Sequence, residues 1–227
     1  MPLSSDENAP YVLIVKLYSP SLSLGEARRI YFDANGFGPN GGYDDAWVDF
    51  ELGPIPFPFP NTAGRVRAVK FHDLHHIVTG YETNLVGELE IGAWEVGSGC
   101  GDMLAAWQLN LQSLVTGAIF APRRTWRAFM AGRRSKNFYT ATFDDALLGT
   151  TVADARKQLH LDPEIGAPTD ASASEGASAK DALLFGVGAA TGLVLGTAFL
   201  AVCVPLALVA ALPMRLLAAR EPRTATA

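Results

Sequence analysis

Three of the four histidines in the chain fall within five positions, in the run Phe71-His72-Asp73-Leu74-His75-His76. On an α-helix successive residues turn by about 100°, so His76 lies about 40° from His72 and Asp73 about 100° from it. Two imidazoles four residues apart can grip one cation, and a neighbouring carboxylate adds charge and an oxygen donor. After His76 come eleven residues and then Glu88. A second helix returning antiparallel after a short turn would carry Glu88 back to the histidine face. His72, Asp73, His76 and Glu88 then form a two-histidine, two-carboxylate set suited to one divalent metal ion. Glu95, seven residues further on, shares nearly the same face of that second helix and can be an outer partner of a ligand, a general base or simply a solvated residue. His75 lies about 60° from His72 on the other side and is expected to pack or to donate a hydrogen bond, with His160 at the surface.

The elements that must position these groups are marked by local signals. Residues 65–78 contain no Gly or Pro and repeat apolar side chains at helical spacing, with Gly80 placed to end the helix. Thr83 or Asn84 can cap a second helix that runs through Trp94 toward Val96. Asp102 can cap a third from Met103 to Phe120, ended by Pro122, and a short basic helix over 123–130 is closed by Gly132. A last amphipathic helix is expected over 147–161. Upstream, a short helix fits 24–34. The 11–18 run is strand or helix, and 47–52 alternates like a strand before Pro54, Pro56, Pro58 and Pro60 force an extended path.

The chain of 227 residues divides into an irregular N-terminal segment (1–63), a helical metal-binding core (64–161), a flexible linker (162–181), a membrane segment (182–219) and a basic tail (220–227). Residues 182–214 carry no charged side chain, whereas about 20 apolar residues suffice to cross a hydrocarbon core. As one straight helix these 33 residues would reach about 50 Å against a core of about 30 Å. Either the segment turns back as a hairpin or re-entrant helix, which would keep Arg215, Arg220 and Arg223 on the cytoplasmic side with the main domain, or it is a single anchor. The polar, acidic N-terminus lacks the pattern of a signal peptide, so the main domain is expected to be cytoplasmic and membrane-associated. The net charge of −5 argues against a nucleic-acid partner. Cys100 and Cys203 have no metal-ligand spacing and are expected to be free thiols. The fold class is therefore mainly α, with an N-terminal segment that can hold a β-hairpin and a C-terminal transmembrane or re-entrant helix.

The stretch His72-Asp-Leu-His-His-Ile-Val-Thr-Gly-Tyr-Glu-Thr-Asn-Leu-Val-Gly-Glu88 resembles the zinc-ligand signature of the coenzyme Q biosynthesis protein 4 family, His-Asp-x-x-His, eleven residues, then Glu. The likeness spans roughly residues 64–161. It implies an all-helical core, one zinc ion on His72, Asp73, His76 and Glu88, and a place in ubiquinone biosynthesis. There the expected activity is metal-dependent oxidative decarboxylation of a polyprenyl hydroxybenzoate-type intermediate at a membrane surface. A non-catalytic, metal-stabilised scaffold that binds prenyl lipid and organises other quinone-biosynthesis enzymes is the alternative. Implied partners are membrane lipid, a prenylated quinone intermediate and those other proteins, with a homodimer also compatible. Arg65 and Arg67 read as surface charge, or as holders of an anionic head group. A membrane di-iron hydroxylase is excluded because it needs about eight histidines, and a His-Asp phosphohydrolase because no histidine precedes Phe71.

Overall fold

The computed structural model describes residues 18–48, 51–52, 55–56 and 59–218. The 11–17 part of the first apolar run and the basic tail lie outside them. Among the described residues the protein is mainly helical. Its helices are α1 (Leu24–Asn35), α2 (Ala63–Thr79), α3 (Leu85–Ser98), α4 (Leu104–Phe120), α5 (Pro122–Arg134), α6 (Asp145–Gly149), α7 (Val152–Gln158) and α8 (Ala179–Ala218). Between α1 and α2, β1 (Trp47–Val48) pairs antiparallel with β4 (Phe59–Pro60), and β2 (Glu51–Leu52) with β3 (Ile55–Pro56), so the proline-rich stretch folds back on itself.

The expected Gly80 and Asn84 bound the turn between the two helices that carry the histidines and Glu88, and α2 starts two residues before the expected Arg65. Thr62 caps α2 by accepting the Arg65 N–H at 3.3 Å, and Gly80 ends it at a left-handed φ of 81° that a β-carbon would oppose. Asn84 caps α3 through the Gly87 N–H at 2.9 Å. Asp102 does not cap α4. Its N-cap is Met103, with no side-chain bond, because the Asp102 carboxylate is turned to Arg67 at 3.2 Å.

α3 is the central helix, packed between α4 and α5. Gly132, expected to close α5, sits inside it. A β-carbon there would lie 2.1 Å from the Trp94 carbonyl oxygen, so the glycine serves close approach of α5 to α3. Gly132→Ala is expected to lower stability by about 1–3 kcal/mol, the usual cost of overpacking, read as a shift in denaturation midpoint at unchanged slope.

The helix expected over 147–161 is split into α6 and α7. The break at Thr150–Thr151 forms because the backbone there bonds to the entry of α1, Leu24 N–H to the Thr150 carbonyl and Val152 N–H to that of Leu22, both at 2.8 Å. The expected linker is docked on the core. The Ala167 N–H bonds to the Thr79 carbonyl at 3.0 Å, and a short 3₁₀ turn (Ala171–Ser174) packs on α5. Arg156, fully buried, donates from Nε to the Val78 carbonyl at 2.9 Å and from Nη1 to the carbonyls of Pro163 and Glu164.

The C-terminal segment is one continuous helix through Ala218 and does not turn back within the described residues. Its residues Ala179–Phe199 are long and apolar enough to cross a membrane, and almost none of that stretch is buried.

Candidate metal centre

Helical pitch on α2 and the first turn of α3 bring three ligand groups together. His72 Nε2 lies 3.2 Å from His76 Nε2. Glu88 reaches both rings, Oε2 to His72 Nε2 at 3.3 Å and Oε1 to His76 Nε2 at 3.2 Å. The other nitrogen of each ring is occupied. His72 Nδ1–H donates to Glu95 Oε1 at 3.0 Å, and His76 Nδ1–H to the Tyr81 carbonyl at 2.9 Å. Both neutral rings are thereby held in the tautomer that leaves Nε2 with a lone pair. Two imidazole lone pairs and a carboxylate then converge with no hydrogen among them, which is repulsive unless a cation or an added proton lies between. A group of two nitrogens and a carboxylate oxygen within 4.8 Å of one another can hold a metal ion. His76 is buried and Glu88 is 41% exposed, so the centre opens on the Glu88 side.

Electrostatics agree with this grouping. Burial opposes ionisation of Glu88, but its bonds to His72 and His76 outweigh that and bring it to about 2. Burial pushes His72 down, and the carboxylates of Glu95 and Glu88 more than reverse it, so in the metal-free protein its pKa stands well above the usual imidazole value.

Asp73 stands apart from this group. Its side chain, a third of a turn from His72, points toward the N-terminal segment and accepts the Tyr43 hydroxyl at 2.6 Å. Burial raises its pKa, partly offset by that bond and by one from Tyr31. Three of the four expected ligands thus meet, and the fourth is bonded to tyrosine. Asp73→Asn is expected to keep bound metal, with affinity changed by no more than about 10-fold, as measured by chelator competition. Loss as complete as that caused by removing a histidine would make Asp73 a ligand. Arg65 bonds to Asn61 and Arg67 to Asp102, away from the three ligands.

Glu95 is fully buried behind the centre, where it accepts four donors. Oε1 takes His72 Nδ1–H and, at 2.6 Å, His75 Nδ1–H. Oε2 takes the Tyr139 hydroxyl at 2.7 Å and the Asn110 amide. Burial alone would raise its pKa, but the two imidazoles hold it well below the carboxylate range. It is fully buried and engaged by four donors, an arrangement that orients His72 from behind. His75 has both nitrogens engaged, since Nε2 accepts the Phe138 N–H at 3.0 Å. It is a packing residue, as its helical phase implies. His160 is exposed.

Several supporting residues carry no local signal. Tyr43 lies in a glycine-rich loop 30 residues from Asp73, and Tyr139 reaches Glu95 across 44 residues. Tyr81 is recruited through its backbone carbonyl, which no side-chain pattern reveals. Tyr31 stacks on His76 with ring centres 5.6 Å apart. Beside them a hollow of about 290 Å³, lined by Tyr18, Tyr31, Asn35, Tyr81 and Thr83 among others, reaches His76.

No family model, no curated protein and no solved structure matches this chain.

Proposed function

We propose that the protein is a metal-dependent enzyme of ubiquinone or related prenylquinone biosynthesis, working at a membrane surface on a polyprenylated aromatic acid. The observation that carries this reading is the convergence of His72, His76 and Glu88, with both Nδ1 donors already engaged, on a sequence that spells His-Asp-x-x-His, eleven residues, Glu. The reaction is oxidative decarboxylation: the bond from ring to carboxylate breaks, CO₂ leaves, and a hydroxyl enters at that carbon. With water as the source of the hydroxyl oxygen, one proton and two electrons are released, the electrons passing to a diffusible two-electron acceptor such as dioxygen or an oxidised quinone.

His72, His76 and Glu88 would hold one divalent ion, zinc by the resemblance, which when bound supplies Lewis acidity and positive charge for an aromatic carboxylate. The chain's own residues prepare that site. Glu95 and the Tyr81 carbonyl fix the two rings with Nε2 presented. Tyr31, flat against His76, gives the neighbouring hollow an aromatic wall. The hollow suits a ring rather than its tail, which would leave along apolar surface. The helical domain is assigned to the cytoplasmic side, with α8 as its attachment.

Expression in a ubiquinone-deficient host that lacks the family counterpart tests the reading. Wild type is expected to restore quinone, and His72→Ala and Glu88→Ala are each expected to fail while accumulating to normal levels. Full restoration by both variants would remove the metal centre from the function. Restoration that requires the centre, with no turnover by purified protein, would favour the scaffold.

A further inference from the structure

α4 presents large apolar side chains to solvent: Leu104 is 82% exposed, Ile119 67% and Phe120 77%. None of its 17 residues is charged. Along the same helix runs α8, laid close by glycines. A β-carbon at Gly188 would meet Leu114, one at Gly192 would lie 2.1 Å from the Leu111 carbonyl oxygen, and one at Gly196 would meet Gln112. By helical phase, Leu104 and Ile119 fall on the flank of α4 next to the residues α8 covers, so the two helices share one continuous apolar surface.

The charge-free stretch 182–214 exceeds a hydrocarbon core by about a dozen residues. Its N-terminal part, within the Ala179–Phe199 stretch that is long and apolar enough to span, packs against α4. On that part apolar groups are exposed nearly all round, including Leu183, Val187, Leu193 and Val194, which suits a hydrocarbon setting. The hydroxyls of Thr191 and Thr197 donate to the Val187 and Leu193 carbonyls at 2.8 and 2.7 Å, satisfied within the helix as a medium without water requires. Both ends of α4 are tied to water, by Asp102 paired with Arg67 before it and by the exposed Arg123 after it. Charges at both ends of an uncharged helix mark a polar boundary there, and the basic end suits anionic head groups.

We propose that α4 lies against the membrane, with Leu104 at its start and Ile119 and Phe120 at its end, spread over its exposed side, in contact with the bilayer beside α8. Its inner face reaches the residue behind the candidate metal centre, because Asn110 donates to Glu95. A single helix layer, about 10 Å, then separates lipid from the carboxylate that orients His72. This deepens the membrane reading of α8, and its test separates the two.

Full-length protein with Cys203→Ser is given one added cysteine at position 104, 119 or 120, labelled with bimane, and reconstituted in phosphatidylcholine vesicles containing phosphatidylglycerol and nitroxide lipid. Labels at position 193 on α8 and at positions 44 and 154 on other elements serve as references. Labels on α4 are expected to be quenched by the lipid several-fold more than those at 44 and 154, and comparably to 193. Quenching at 193 with none on α4 overturns the α4 inference and leaves α8 as the sole membrane contact. No quenching at any position overturns both. Labels on α4 shielded from aqueous iodide yet untouched by lipid nitroxide would show that a second copy covers the face, which also overturns it.

Discussion

Full-length protein carrying His76→Ala is expected to bind no stoichiometric divalent metal, whereas wild type loads about one ion per chain. The His76 ring is buried, its Nε2 faces both other ligands, and its Nδ1 is fixed by the Tyr81 carbonyl. Removing it leaves one nitrogen and one partly exposed carboxylate. The loss in affinity should exceed the roughly 100-fold typical of removing an outer partner, with Glu88→Gln falling in the same direction. Elemental analysis and chelator competition measure both. At a metal concentration about 100 times the dissociation constant, wild type should also gain about 2.7 kcal/mol of stability that His76→Ala does not. Retention of metal by both variants would make the cluster an ion pair and not a metal centre.

Glu95→Ala is expected to be among the most destabilising single changes in the chain. Four donors, His72, His75, Asn110 and Tyr139, would lose their shared acceptor in a fully buried position. Breaking a buried charged network by removing one partner typically costs about 3–5 kcal/mol, readable by chemical denaturation. Glu95→Gln keeps the shape and separates stability from orientation. An amide cannot accept all four hydrogens, so the His72 ring loses its fixed tautomer and metal affinity should fall by about 10–100-fold in a protein that still folds. Wild-type affinity in Glu95→Gln would show that His72 needs no such anchor.

What was legible in the sequence is what local rules control. The cap at Asn84, the left-handed turn at Gly80, and the four-residue spacing of His72 and His76 each depend on a few neighbouring residues, and the structure keeps them. Glu88 could be placed because only a short turn separates the two helices. Features set by distant partners were hidden. Gly132 reads as a helix end until the Trp94 carbonyl is known to lie against it. The break at Thr150–Thr151 arises from pairing with residues around Ser23. The small-residue stretch 162–178 has few apolar groups of its own and is held by backbone bonds to other elements. Asp73 looked like a ligand because it stands between two histidines of ligand spacing, and the tyrosine that takes its carboxylate comes from a loop whose position no periodicity encodes.

The buried guanidinium of Arg156 also bears on biosynthesis. It closes the carbonyl end of the histidine-bearing helix at Val78 from 78 residues further along the chain, and Ala167 adds a second late tie at Thr79. A chain emerging from the ribosome would therefore hold the imidazoles on an unfinished helix until α7 and the segment beyond it appear. Nascent chains stalled before Arg156 should capture metal poorly, and those released after Ala167 should capture it well.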